Sequence, residues 1–417
     1  MSLTLTAEEQ HALSGAAGEG MALAMRVIVE TARLMGATKL VPVASAHIDG
    51  ALYHGDSGTL FAEKLVELGA RVAIPTTLNV GALDLACGAK TRLPPHQHDM
   101  AYRMMRAYEA MGCAPTWTCA PYQAGHRPAL GADVAWGESN AVAFCNSVLG
   151  ARTNRYGDFL DICCAMTGRA PYYGLHVPEN RLATFALDCS GLSPALRNAD
   201  VFWPVIGTLF GQRAGTAVGV VLGLEGCATD DRLKAFGAAA ASAGAVGLFH
   251  ILGETPEAPD LATITGGREI PITPITPALL NTARAGLSTT GETQVDAVAI
   301  GSPHLSAAEL LELDRLIAGR RLIRPFYACT GRHAVAALEQ AGRRKALEEA
   351  GVIIVADTCV VVTPMLEGVS GVLMTNSGKF AHYAPGNTGY AVQYGAMAEC
   401  VESAIAGHLV RDEGMWS

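Results

Sequence analysis

Gly351-Val352-Ile353-Ile354-Val355-Ala356-Asp357-Thr358-Cys359 is the stretch on which the fold reading turns. Five apolar residues, four of them β-branched, run without interruption, which fits a strand buried on both faces. An acid, a hydroxyl and a thiol follow at once. Working outward, the same unit recurs: a short β-rich run, a polar turn, then an amphipathic helix. Further strands are predicted at residues 39–44, 71–74, 115–118, 245–251, 296–300, 322–327 and 371–374. Helices are predicted near residues 19–35, 60–68, 139–149, 231–243, 278–285, 307–318, 334–350 and 392–406. Thr6, with Glu8 and Glu9 behind it, reads as the N-cap of an opening helix. Strands alternating with helices predict an α/β protein, with mainly parallel sheets flanked by helices.

The 417 residues exceed one ordinary domain, so two or more packed sub-domains are expected. The least regular stretch, residues 173–216, contains Pro178, Pro194 and Pro204, and the division is placed there, as 1–200 and 201–417. Half the residues are hydrophobic and 17% are charged, enough apolar content for an extensive core. A formal net charge of −9, with no basic run longer than Gly342-Arg343-Arg344-Lys345, argues against nucleic acid. The N-terminal residues lack a basic segment followed by an apolar one. The most apolar runs, 218–224 and 352–356, stop far short of the roughly 18 residues a membrane span needs. A soluble, cytoplasmic chain is expected, in which the eleven cysteines are not disulfide-bonded by default.

Ligands of parallel α/β proteins collect at the carboxyl ends of strands. The residues following the predicted strands are unusually polar or thiol-bearing: His47, Asp49 and Gly50; Thr76, Thr77 and Asn79; Cys119; Cys329; Cys359; Ser377 and Lys379. Each has a bland alternative. A lone histidine is commonly structural, a Thr-Thr-Leu-Asn run can cap a helix, and a cysteine is often a small core residue. No pair has Cys-x-x-Cys spacing, which disfavours a thioredoxin-like site, a zinc ribbon and a compact cluster motif. Ser139, Asn146, Arg152, Thr153, Asn154 and Arg155 form a second constellation. Two arginines three apart, set among amides and hydroxyls, suit a carboxylate or phosphate held by bidentate hydrogen bonds. No Gly-x-Gly-x-x-Gly or Walker sequence supports a nucleotide.

These segments together resemble aconitase X. The resemblance rests on Ser45–Gly50, Pro75–Asn79, Thr118–Tyr122, Trp136–Ser139, Asn146–Arg155, Pro171–His176, Thr255–Pro259, Gly301–His304, Asp357–Cys359, Thr375–Lys379 and Glu399–Val401. It spans residues 18 to 407 in the expected order. It implies an aconitase-like fold, an iron–sulfur cluster and dehydration of a small-molecule hydroxy acid. The family's cluster cysteines map onto Cys119, Cys359 and Cys400, with Cys145 and Cys329 left open as ligands. Arg152 and Arg155 would clamp a carboxylate. His47, Ser377 and Lys379 would serve catalysis, while Asp49, Gly50, Thr76, Thr77 and Asn79 orient the substrate. Family substrates are cis-3-hydroxy-L-proline in bacteria and mevalonate 5-phosphate in archaea. Tyr156 stands where archaeal members carry an acid, which favours the hydroxyproline reading. Neither end of the chain resembles the family's small swivelling domain, so the resemblance is to the large subunit of the two-subunit form, with a small partner supplying the base. A non-catalytic partner subunit with structural cysteines is the rival of another class.

Overall fold

A computed structural model describes residues 3–368 and 370–416. The chain forms two compact units, Met1–Leu83 with Leu93–Leu182, and Asp84–Arg92 with Ala183–Ser417. The chain passes between them at Leu182/Ala183, inside the irregular stretch, and that stretch also holds the strand Phe185–Asp188 and the helix Phe202–Ala214. Named strands pair in parallel except Leu40–Pro42, which runs antiparallel to Arg169–Pro171.

In the first unit the opening helix Ala7–Leu13 carries a full capping box between Thr6 and Glu9. The frame that matters is a three-stranded parallel sheet with Ala46–Ile48 at its centre, flanked by Thr76–Leu78 and Ala135–Trp136. These strands lie further along the chain than expected. Residues 71–74 stay outside the ladder, because Val72 N–H bonds Met111 O at 3.0 Å and Ala73 N–H bonds Ala165 O at 2.9 Å. Residues 115–118 form no strand, though Thr118 N–H reaches Leu78 O at 3.1 Å. His47, Thr76 and Thr77 therefore sit on strands rather than in loops. Helices Pro95–Ala110 and Leu160–Thr167, absent from the sequence reading, follow Asp56–Glu67 and Ser139–Ser147 respectively in chain order.

In the second unit a five-stranded parallel sheet runs Val352–Ala356, Phe326–Thr330, Ala297–Leu305, Val372–Thr375, Ala391–Tyr394. All nine residues of Ala297–Leu305 are buried. Leu310, Leu313, Ile317, Leu338, Leu347 and Val401 come from surrounding helices and pack on Val298, Ile300, Phe326 and Ile354. Each such side chain stabilises the unit by about 1.5–3 kcal/mol when fully buried. The strand expected at 322–327 begins at Phe326, so Cys329 lies within it. The helix expected at 392–406 starts at Met397, the preceding Ala391–Tyr394 being an edge strand. The helix expected at 334–350 breaks at Gly342, whose φ of +66° suits glycine.

A four-stranded parallel sheet, His250–Ile251, Gly219–Leu222, Phe185–Asp188, Ile272–Pro274, completes this unit. Helices Phe202–Ala214 and Asp230–Ala243 approach so closely that a Cβ at Gly207 would stand 2.4 Å from Phe236 O. The segment Asp84–Arg92 is pinned here by one carboxylate. Asp84 accepts N–H groups from Ala86, Cys87, Gly88 and Ala89 at 2.6–3.2 Å, and from Ala356 at 3.0 Å.

Candidate active site

Register in the three-stranded sheet sets the first unit's site. His47 is paired with Thr77 on one side and Trp136 on the other, and register partners of adjacent strands share a face. His47 Nδ1 lies 2.9 Å from Thr77 Oγ1, and His126 Nδ1 lies 2.7 Å from the same oxygen. Both imidazoles tilt against Trp136, with centroids 5.5 and 5.0 Å away. Burial holds His47 down to about 3, aided by His126 and opposed by Glu138, and burial lowers His126 to about 4. Both rings are therefore neutral at physiological pH.

One step past the strand ends, Asn79 Nδ2 donates to Asp49 Oδ1 at 2.5 Å. Glu138 caps the helix Ser139–Ser147 through Ala141 N–H at 2.6 Å and accepts from Ser139 Oγ at 3.1 Å. Asn140, beside Ser139, donates to Cys119 O at 3.3 Å and Tyr122 Oη at 3.0 Å. His47, Asp49, Gly50, Thr77, Asn79, Ser139 and Cys119 are thus held at one end of one sheet. Thr76 turns away, its hydroxyl donating to Ile74 O at 2.8 Å.

Beneath Asp49 and Gly50 lies Asp161, fully buried at the start of Leu160–Thr167. Its Oδ2 accepts their N–H groups at 2.7 and 3.2 Å. Desolvation raises Asp161 to about 7, against the lowering effect of those bonds. Gly137 leaves room for the packing, since a Cβ there would stand 2.9 Å from Asp49 Cβ and 3.0 Å from Asp161 Oδ2. Neither Asp161 nor His126 was singled out from the sequence.

Most of the amide and hydroxyl groups around the arginines build their loop. Asn146 bonds Thr153 O and Thr153 N–H at 2.9 and 3.0 Å, and Thr153 Oγ1 accepts from Trp136 N–H at 3.0 Å. Asn154 ties to Tyr173 O and Leu175 N–H at 3.0 and 2.8 Å. Tyr156 Oη lies 2.5 Å from His176 Nε2, and His176 Nδ1 lies 2.7 Å from Asp133 Oδ1, a chain that anchors the same loop. Arg155 is exposed and Arg152 half-buried.

Several buried polar atoms here find no hydrogen-bond partner among the described residues: Ser45 Oγ, His47 Nε2, Asn79 Oδ1, His126 Nε2, Asn140 Oδ1 and Arg152 Nε. Left so, each costs about 1–3 kcal/mol. Such a concentration marks a place built to receive a polar ligand.

In the second unit, Cys359 follows the strand Val352–Ala356, and its carbonyl accepts from Val362 and Thr363 N–H at 3.1 Å. Just before it, Asp357 adopts φ +63° and accepts a fork of hydrogen bonds from Arg332 at 2.6 and 2.8 Å. Burial raises Asp357 and Arg332 opposes it. His304 Nε2 lies 3.0 Å from Thr358 O, and burial lowers His304 to about 4. Cys329 pairs with Val355 on the neighbouring strand, near the same sheet end. Its neighbour Ala328 belongs to the helix-covered core, so Cys329 turns to the other face. Cys400 lies on the core side, in the helix Met397–Ala406, and burial pushes its thiol well above its ordinary range. Cys145 is fully buried in the first unit, in the helix Ser139–Ser147.

Ser377 caps the helix Gly378–Thr388, accepting from Phe380 N–H at 3.0 Å, and donates to Ser302 O. Lys379, in that helix's first turn, is half-buried. Among the described residues no three His, Cys, Asp or Glu side chains are already grouped around a metal position.

Imidazole, acid, amide and thiol groups at the carboxyl ends of parallel strands define an α/β enzyme with its chemistry at the strand ends. Residues 2–179, 183–281 and 295–406 match the aconitase X first, second and third domains. The cis-3-hydroxy-L-proline dehydratase of Pseudomonas aeruginosa is 43% identical over 410 residues, covering 97% of this chain and 70% of that protein. The phosphomevalonate dehydratase large subunit of Methanothermobacter thermautotrophicus is 34% identical, covering 93% of this chain and 95% of that one. The crystal structure of aconitase X from Thermococcus kodakaraensis, in its holo form, superposes with a TM-score of 0.86 at 31% identity, covering 96% of this chain and 100% of that one. The chain belongs to the aconitase X family, and it is a hydro-lyase.

Proposed function

We propose that this chain dehydrates cis-3-hydroxy-L-proline in the cytoplasm, as the large subunit of a two-subunit enzyme. The observation that carries the substrate is identity. Two cis-3-hydroxy-L-proline dehydratases are 43% and 39% identical to nearly the whole chain, against 32–35% for five phosphomevalonate dehydratase large subunits. Tyr156 supports it: a buried phenol bonded to His176 stands where archaeal members carry an acid. The small partner subunit is supported by the likeness to large subunits, the chain spanning 95% of that of M. thermautotrophicus.

The family implies an iron–sulfur cluster. Thiols at strand ends suit one, and in the second unit the donors proposed are Cys329 and Cys359. Cys329 replaces Cys400, whose apolar surroundings oppose the thiolate that metal binding needs. When bound, the cluster supplies a Lewis acid for the departing hydroxyl.

This chain's own residues do the rest. Arg152, with an unpartnered buried Nε, and Arg155 hold the substrate carboxylate. Asp49 and Asn79, locked together and braced from below by Asp161, orient the polar ring atoms. Neutral His47 exchanges protons rather than charge. In the second unit, the Ser377 hydroxyl is committed to a helix cap and to Ser302 O, and Lys379 supplies a cation in the first turn of the same helix. Removal of the carbon-bound proton is assigned to a base on the small subunit. Anaerobically reconstituted enzyme should turn over cis-3-hydroxy-L-proline and leave mevalonate 5-phosphate untouched. The reverse preference would overturn the substrate while leaving the family in place.

A further inference from the structure

We propose that His47, Thr77 and His126 form a neutral proton relay in which the two imidazoles are obliged to carry opposite tautomers. The argument is one of hydrogen count. Thr77 Oγ1 lies within bonding distance of both Nδ1 atoms, at 2.9 and 2.7 Å, yet a hydroxyl has one proton to donate. It donates to one ring and accepts from the other. Accepting from both rings would leave that proton only Ala46 O, at 3.5 Å, beyond the usual reach of an O–H···O bond. The ring that donates from Nδ1 has a bare Nε2, and the ring that accepts at Nδ1 carries its proton on Nε2.

Both Nε2 atoms are buried without a partner among the described residues. The pair therefore presents one acceptor and one donor to whatever binds there, and ordinary side-chain burial explains neither. Thr77 shares a register row with His47, so sheet geometry fixes those two, and Trp136 lies against both rings.

The arrangement can reverse. A proton arriving at the bare Nε2 drives that ring's Nδ1 proton to Thr77 Oγ1. The hydroxyl passes its own proton to the second Nδ1, and the second ring releases its Nε2 proton. Every group ends neutral, with both hydrogen bonds inverted. Resting on the dehydratase reading, the step suits departure of hydroxide: the C–O bond breaks, the released proton forms the new O–H bond of water, and the bare Nε2 is recharged by a proton from solvent or the base.

Two measurements test it. In protein labelled with 15N-histidine, the ring shifts should show one Nδ1–H and one Nε2–H tautomer for this pair, and Thr77→Val should abolish the opposition. Two identical tautomers in the unmutated protein would overturn the proposal. In the reconstituted enzyme, Thr77→Val should lower kcat about 100- to 10,000-fold with KM within about threefold, while Thr77→Ser restores most of the rate. Equal rates for the valine and serine variants would also overturn it. The tautomer measurement needs no substrate, so its failure strikes the relay alone. Opposite tautomers without turnover of hydroxyproline would uphold the pairing and strike the substrate assignment.

Discussion

Asp161 Oδ2 accepts the backbone N–H of Asp49 at 2.7 Å, from 112 residues further along the chain. A fully buried carboxyl thus supports the strand-end turn that carries the site. Its folded pKa is raised from 3.8 to about 7, chiefly by desolvation. Between those values the folded state keeps a proton that the unfolded state releases, so the stability from this group is full below about pH 4, falls as pH rises, and is flat above 7. Asp161→Asn removes the titration. The stability of the unmutated protein relative to the variant, from urea unfolding, should fall by about 3 kcal/mol between pH 4.5 and pH 7.5, at about 1.4 kcal/mol per unit. A difference that stays constant with pH would show that Asp161 does not titrate there.

Cysteine substitutions should sort by face. Cys359→Ser and Cys329→Ser should each lose bound iron and the visible absorbance. Cys400→Ser should keep its iron but unfold about 1–3 kcal/mol more easily, because a hydroxyl in that apolar cluster lacks a partner. Iron quantified per chain, beside a denaturation curve, separates the two behaviours. Iron loss on replacing Cys400 alone would return it to the ligand set.

Tyr156→Phe deletes the hydroxyl bonded to His176 and leaves a buried ring nitrogen unserved. The expected cost is about 1–3 kcal/mol of stability. Because the Asp133–His176–Tyr156 chain fastens the arginine loop, KM for the carboxylate substrate should rise more than kcat falls. A variant with unchanged KM would show that the loop holds its shape without this chain.

The isolated chain should bind iron yet turn over about 100- to 10,000-fold more slowly than with its small subunit, the usual worth of a positioned base. Comparing rates with and without that subunit checks this. Full activity alone would locate the base within these residues, with His47 first in line.

How much was legible in the sequence depended on the range of each interaction. Val352–Ala356, buried on both faces, needed only its own composition to be read. Strands of three residues are too short to display a period of two, so 71–74 displaced Thr76–Leu78 in the reading and carried Thr77 off its strand. Leu322 and Ile323 drew the next strand away from Phe326–Thr330, and Cys329 with it. The polar strand-end residues were found because their types are unusual wherever the register falls. His126 and Asp161 escaped because their partners are 49 residues away in one case and 111 and 112 in the other, leaving no local mark.

The carboxylate of Asp84 also bears on how the chain reaches this state. It belongs to the second unit, yet it is made in the midst of the first and meets Ala356 N–H only 272 residues later. The nine residues from Asp84 to Arg92 must wait, during synthesis, until three of the five strands in the sheet that receives them exist. Closing so long a loop slows folding more than it weakens the final state. A fragment ending at Leu182 would hold this segment with nothing to dock against, so the first unit is not separable by a single cut of the chain.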